Sequence, residues 1–240
     1  MTLPQLGRGL QEEWLGEIMA GTTRSLDGTG AEVVGGHSSM GAELSIGYSI
    51  TGLLDRDPIS LAGAAPGQRL VLTRPLGSGV LFAGEMQGRA RGQDAQSLLD
   101  TLEVPQGAAA GILSRAGATA MTDVTGFGLA GHLQGMLTQS GVGASIELDA
   151  VPIFDGALEL SNAGVKSHLY DANRAAVQVT EDRVHRRSRL LFDPQTAGGM
   201  LAAVPADRAD AAIAELHDAG YISSAIIGTT NDVPVEIRLA

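Results

Sequence analysis

The sequence predicts an α+β protein of two unequal parts, built on mixed sheets packed against helices. Three observations point there. Short apolar runs of strand length and longer stretches of helical periodicity follow one another along the chain, with no internal repeat. A stretch at 55–67 holding Asp55, Asp57, Pro58, Pro66 and Gly67 divides a short first part from a long second one. The composition is that of a globular core, with 44% apolar and 18% charged residues, yet only 3% aromatic. Leu, Val, Ile and Ala must therefore fill the interior.

The elements follow in order. Residues 6–27 read as an amphipathic helix, with Leu6, Leu10, Trp14, Leu15, Ile18, Met19 and Leu26 near helical spacing. Glu32–Val34 reads as a short strand running into Gly35 and Gly36, and Leu44, Ile46, Tyr48 and Ile50 alternate as in a half-buried strand. Beyond the boundary, Leu70–Leu72 reads as a strand, followed by helices near 78–88, 94–103 and 106–116. A strand at 118–122 leads through a turn at 123–126 into a helix over 127–139. Ser145–Leu148 reads as a strand and Asp155–Asn162 as a helix, while 164–188 has weak periodicity and reads as a long irregular segment. Leu190–Phe192 and Met200–Val204 bracket a glycine-containing turn. An Ala-rich helix at 206–218 and strands near 222–227 and 234–239 complete the chain.

Charge and cysteine content narrow the chemistry. A formal net charge of −11 repels nucleic-acid backbones and anionic membranes, so neither is expected as a partner. With no cysteine, the chain holds no disulfide, thiolate metal site or cysteine nucleophile. No run of 18 or more apolar residues occurs, nor the charged-then-apolar order of a signal peptide, which points to the cytoplasm. Lys166 is the only lysine.

Three stretches could carry chemistry. In Gly35-Gly36-His37-Ser38, adjacent glycines let a backbone approach phosphate oxygens, although the spacing also fits a plain tight turn. In Thr122-Asp123-Val124-Thr125-Gly126-Phe127-Gly128-Leu129, an aspartate at a strand end could hold magnesium. Asp123 or Thr125 could equally cap the following helix. In Phe192-Asp193-Pro194-Gln195-Thr196-Ala197-Gly198-Gly199, the residue types suit structural punctuation, with Asp193 capping a turn or bonding across a junction. His132 reads as a packed or surface histidine, and His185 with Arg186, Arg187 and Arg189 as a solvated basic loop with the option of a phosphate contact.

Together with Gly41-Ala42-Glu43-Leu44 and Thr73-Arg74-Pro75-Leu76-Gly77-Ser78-Gly79-Val80-Leu81, these stretches resemble selenophosphate synthetase, or selenide, water dikinase, in both order and separation. The resemblance covers nearly the whole chain. It implies the carboxy-terminal part of an aminoimidazole ribonucleotide synthetase-like two-domain fold. Residues 1–57 would then be the remaining part of an ATP-binding domain, 58–67 a linker and 68–240 the carboxy-terminal domain. It further implies ATP, selenide and water as substrates, selenophosphate, AMP and phosphate as products, and a homodimer. By the same resemblance Gly35, Gly36, His37 and Ser38 contact the nucleotide, and Asp123 binds Mg2+. Arg74 stands where that family often has lysine. The family's Gly-rich loop, cysteine or selenocysteine, essential lysine and further metal-binding aspartates have no counterpart here, so the chain alone is expected to be weakly active or inactive. A non-catalytic nucleotide-binding or partner module is the alternative, and an enzyme of the wider superfamily acting on an acyl or amino substrate a third reading.

Overall fold

The computed structural model describes residues 1–54, 57–181, 184–233 and 235–240. Asp55 of the expected boundary stretch, residues 182–183 of the expected irregular segment and Pro234 of the expected last strand lie outside them. The chain divides into two compact units, Met1–Asp57 and Pro58–Ala240.

The first unit is thin. Strand β1 (Thr2–Pro4) leads into helix α1 (Arg8–Leu26), and β2 (Ser39–Gly41) pairs in parallel with β1, Thr2 opposite Ser39. Helix α1 forms within the expected range, but none of its residues is buried. Leu3 is the only buried residue among the described residues of this unit. The expected strand over 44–50 is absent: one isolated bridge joins Ser45 to Thr2, and Ile50 and Tyr48 stand exposed. Glu32–Val34 is likewise irregular. Alternation predicts a strand only where a neighbouring strand takes up its backbone groups, and no described segment does so.

The second unit carries the core. Its strands are β3 (Arg69–Leu72), β4 (Ala120–Asp123), β5 (Gly143–Ile146), β6 (Thr180–Glu181), β7 (Met200–Val204), β8 (Ala225–Asn231) and β9 (Ile237–Leu239). They form one sheet in the order β4-β7-β3-β8-β5-β9-β6. Pairing is antiparallel from β4 to β5 and parallel where β9 joins β5 and β6. The helices are α2 (Ser78–Met86), α3 (Gly92–Leu102), α4 (Gly107–Arg115), α5 (Gly128–Ser140), α6 (Ala157–Asn162), α7 (Tyr170–Ala176) and α8 (Ala206–Asp218).

The pleat of β3 explains the layering, because successive side chains of a strand face opposite ways. Leu70 and Leu72 pack with Leu129, Leu133 and Leu137 of α5. Val71 packs on the other face with Leu113 of α4 and Leu216 of α8. A third cluster joins α2, α3 and α6 through Val80, Leu81, Leu98 and Leu160.

Segment 164–188 is more ordered than its weak periodicity suggests, since α7 and β6 lie within it. These elements are too short to display a helical or strand period. The basic cluster beyond them is only partly a solvated loop. Arg187 Nη1 donates to the carbonyls of Asp149 at 2.8 Å and Val151 at 3.1 Å, and the Arg189 guanidinium lies 5.7 Å from the centre of the Tyr170 ring.

Candidate functional site

Strand β4 ends at Asp123, opposite Met200 on β7, and the chain turns through Val124–Phe127 into α5. Asp123 is exposed, and its carboxylate makes no hydrogen bond or ion pair among the described residues. It does not cap α5: the residue at that position is Phe127, and no side chain caps it. The turn is held instead by His132, whose Nε2 accepts the Thr125 amide at 3.0 Å. That bond requires a neutral acceptor nitrogen. Burial pushes the His132 pKa down, with the nearby Asp123 carboxylate pulling weakly the other way. Phe127 is 70% exposed, its ring 5.7 Å from the His132 ring.

The stretch 192–199 closes against the same end of the sheet and locks the start of α2. Asp193 Oδ2 accepts the Val80 amide at 3.1 Å, and Gln195 Oε1 accepts the amides of Gly77 at 3.0 Å and Ser78 at 3.2 Å. Asp193 thus caps a helix more than a hundred residues away in sequence, the structural role expected for this stretch. Asp193 is 2% exposed, and burial raises its pKa to about 6. The Val80 amide, the Gln195 amide and the Gly79 amide oppose that rise without cancelling it. Its Oδ1 is buried without a hydrogen bond of good geometry. Two glycines are dictated by close approach: a Cβ at Gly79 would lie 2.4 Å from the Pro194 carbonyl oxygen, and one at Gly198 would lie 2.0 Å from that of Val124.

Gly35-Gly36-His37-Ser38 lies in the first unit as exposed, irregular chain, tethered where the amino-terminal amine donates to the His37 carbonyl at 2.9 Å. Gly35 and Gly36 differ from the glycines above. Neither has a left-handed φ, and a Cβ on either would meet nothing within 4 Å. Nothing in the described chain requires glycine there. The structure therefore places Asp123 and the residues 35–38 in different units, each on open surface.

The end of β3 opens onto a cleft of about 500 Å³. Thr73 Oγ1 donates to Gln106 Oε1 at 2.7 Å and accepts the Met200 amide at 2.8 Å. Arg74 is 3% exposed, and its guanidinium donates to the carbonyls of Ala197 and, at 2.6 Å, Val104. Burial pulls its pKa down. Gln106 gave no sequence signal, because a single glutamine beside a proline has no diagnostic spacing, and Gln195 stood out only as part of the 192–199 stretch. Among the described residues no group of three or more His, Cys, Asp or Glu side chains is arranged to hold a metal ion.

Residues 65–239, nearly the whole second unit, match the family described as AIR synthase related protein, C-terminal domain, and this defines the class. The chain is 37% identical over 237 residues to a selenide, water dikinase of Nitratidesulfovibrio vulgaris, covering 96% of this chain and 67% of that protein. It is 33% identical to a selenide, water dikinase of Porphyromonas gingivalis, covering 96% and 68% respectively. The chain belongs to the selenide, water dikinase family and spans about two thirds of the length of these relatives. A solved hydrogenase maturation protein HypE in complex with ATP aligns with a TM-score of 0.57 at 18% identity, over 97% of this chain and 63% of that one, a likeness of fold.

Proposed function

We propose that the chain serves ATP-dependent formation of selenophosphate from selenide and water, with AMP and phosphate as the other products. The observation that carries this is the 37% identity to a selenide, water dikinase, sustained over 96% of the chain. The same relationship favours an enzyme over a non-catalytic nucleotide-binding module. The reading extends to a homodimer in the cytoplasm; no helix among the described residues is long and apolar enough to cross a membrane.

In this reading Gly35, Gly36, His37 and Ser38 hold the nucleotide. What supports it is that the two glycines answer to no packing or torsional demand of their own chain, while their amides stand on open surface. Bare amides with no side chain in the way suit phosphate oxygens. Asp123 is one ligand of Mg2+, and an exposed, unpartnered carboxylate fits an ion that keeps several waters and takes its remaining ligands from substrate phosphates. When bound, the ion neutralises charge on the phosphates. The nucleophile and a catalytic lysine are not among the contributions of this chain: it has no cysteine, and Lys166 is paired at 2.5 Å with Asp171 on the surface.

Two variants test the assignment by calorimetric titration of ATP with and without magnesium. The double variant G35A/G36A should keep its melting temperature and lose about tenfold in ATP affinity, since the added methyls touch only the incoming ligand. Asp123→Asn should bind free ATP as before but lose most of the gain that magnesium brings. Unchanged titrations for both variants would remove the site assignment.

A further inference from the structure

The cleft at the end of β3 contains two buried groups that the chain leaves unsatisfied. Arg74 is 3% exposed; its guanidinium hydrogen-bonds only carbonyl oxygens, and no carboxylate pairs with it among the described residues. Gln106 offers a buried Nε2 donor with no acceptor among the described residues. A buried cation without an anion and a buried donor without an acceptor are each unfavourable, and both are relieved by the same kind of group. The two sit together. Arg74 follows Thr73, whose hydroxyl fixes the Gln106 carbonyl oxygen and so turns the Gln106 amide nitrogen away from it; Arg74 also bonds Val104, two residues before Gln106. This wall calls for a carboxylate or a phosphate, and Arg presents a planar fork suited to either.

The remaining charged residues of the cleft decide between them. Asp94, Asp100 and Asp155 line it from α3 and from the loop ahead of α6. Asp94 is neutralised by Arg91 at 2.8 Å, whose guanidinium also acts on Asp155 at longer range; Asp100 holds only the amide of Gln96, and Asp155 makes no hydrogen bond or ion pair among the described residues. A simple anion would be repelled by these carboxylates. A ligand carrying a cation at its other end converts that repulsion into attraction. Ile153, Phe154 and Tyr221 also line the cleft, and its size is that of a small-molecule site.

We propose that this cleft binds a small zwitterion of the α-amino-acid class, with its carboxylate against Arg74 and Gln106 and its ammonium toward Asp100 and Asp155. The site stands on the second unit alone and does not depend on the nucleotide reading. The experiment is a thermal-shift screen of the 240-residue chain against the standard L-amino acids, with inorganic phosphate and putrescine as the single-charge-type controls, followed by calorimetry of the best binder. At least one amino acid should bind about tenfold or more tightly than either control. Gln106→Glu keeps the Thr73 contact but replaces the donor with a negative charge, and should weaken that amino acid by about tenfold or more. Asp155→Asn, on the exposed rim, should weaken it severalfold with an unchanged melting temperature. Binding of phosphate or putrescine as tightly as any amino acid overturns the assignment, as does an amino acid that binds the Q106E variant as well as the parent.

Discussion

Gly198→Ala is expected to destabilise the second unit by roughly 3 kcal/mol, the upper end of what a forced overpacking costs in a dense interior. The new Cβ would stand 2.0 Å from the Val124 carbonyl oxygen and 3.0 Å from the Gln195 Cβ. The first obstacle is backbone, so no rotamer change relieves it. The Val124 carbonyl cannot retreat cheaply either, since the Thr125 amide of the same peptide group donates to His132 Nε2 at 3.0 Å and the Val124 amide donates to the Gly199 carbonyl at 2.9 Å. The matched control is Gly135→Ala within α5, where a Cβ meets nothing and alanine favours the helix by about 1 kcal/mol. Urea unfolding of the two variants should move the midpoint in opposite directions. A Gly198→Ala protein as stable as its parent would show that the clasp between 123–128 and 192–199 is loose.

The second large effect concerns Asp193 and pH. Burial holds this carboxyl at about 6 in the folded chain, against an ordinary value near 3.8. A group that takes up its proton more readily when folded stabilises the fold fully at pH below its unfolded value. That contribution fades as pH rises through about 6, because above it the fold must bury a charge. The difference corresponds to roughly 3 kcal/mol between pH 4 and pH 8. Asp193→Asn keeps an acceptor for the Val80 amide and cannot ionise. Its stability relative to the parent should therefore improve by about that amount from acid to mild alkali. Chemical denaturation of both proteins at a series of pH values gives the comparison. Parallel curves would mean that the hydrogen bonds at Asp193 fully offset its burial.

Much of the second unit was legible because its strands and helices announce themselves locally. Leu70, Val71 and Leu72 form a compact apolar run, and the helix at 206–218 carries an apolar stripe on an Ala-rich background, so both were placed within a residue or two. The last long strand was placed three residues early, since the turn at 221–224 contains Tyr221 and Ile222 and reads as apolar. The alternation over 44–50 failed for a different reason: it describes one partner of a pair, and pairing is not a local property.

The site was legible in part. Asp123 was singled out with two roles open, and the structure closes one by leaving the α5 cap empty of any side chain. For Asp193 it was the structural role that emerged, on a helix the sequence could not connect to it. Arg74 was noticed only as a charge, whereas its burial without an anion depends on Ala197, Val104 and Gln106 arriving from other segments of the chain. Long-range convergence of this kind leaves no periodicity behind.

The clasp between Gln195 and the start of α2 also bears on how the chain reaches its fold. The Gln195 bond to the Gly77 amide joins residues 118 apart, far beyond the reach of the contacts within the helices, and β3 pairs with β7 across a comparable span. Ordering so long a loop is entropically unfavourable until other contacts have drawn its ends together. The pairing of β3 with β7 provides that draw, setting Leu72 opposite Leu201 next to the clasp. The clasp between Asp193, Gln195 and the start of α2 is thus expected to order only once β3 and β7 have paired, and a probe placed at residue 195 should report native structure later than one placed in α8.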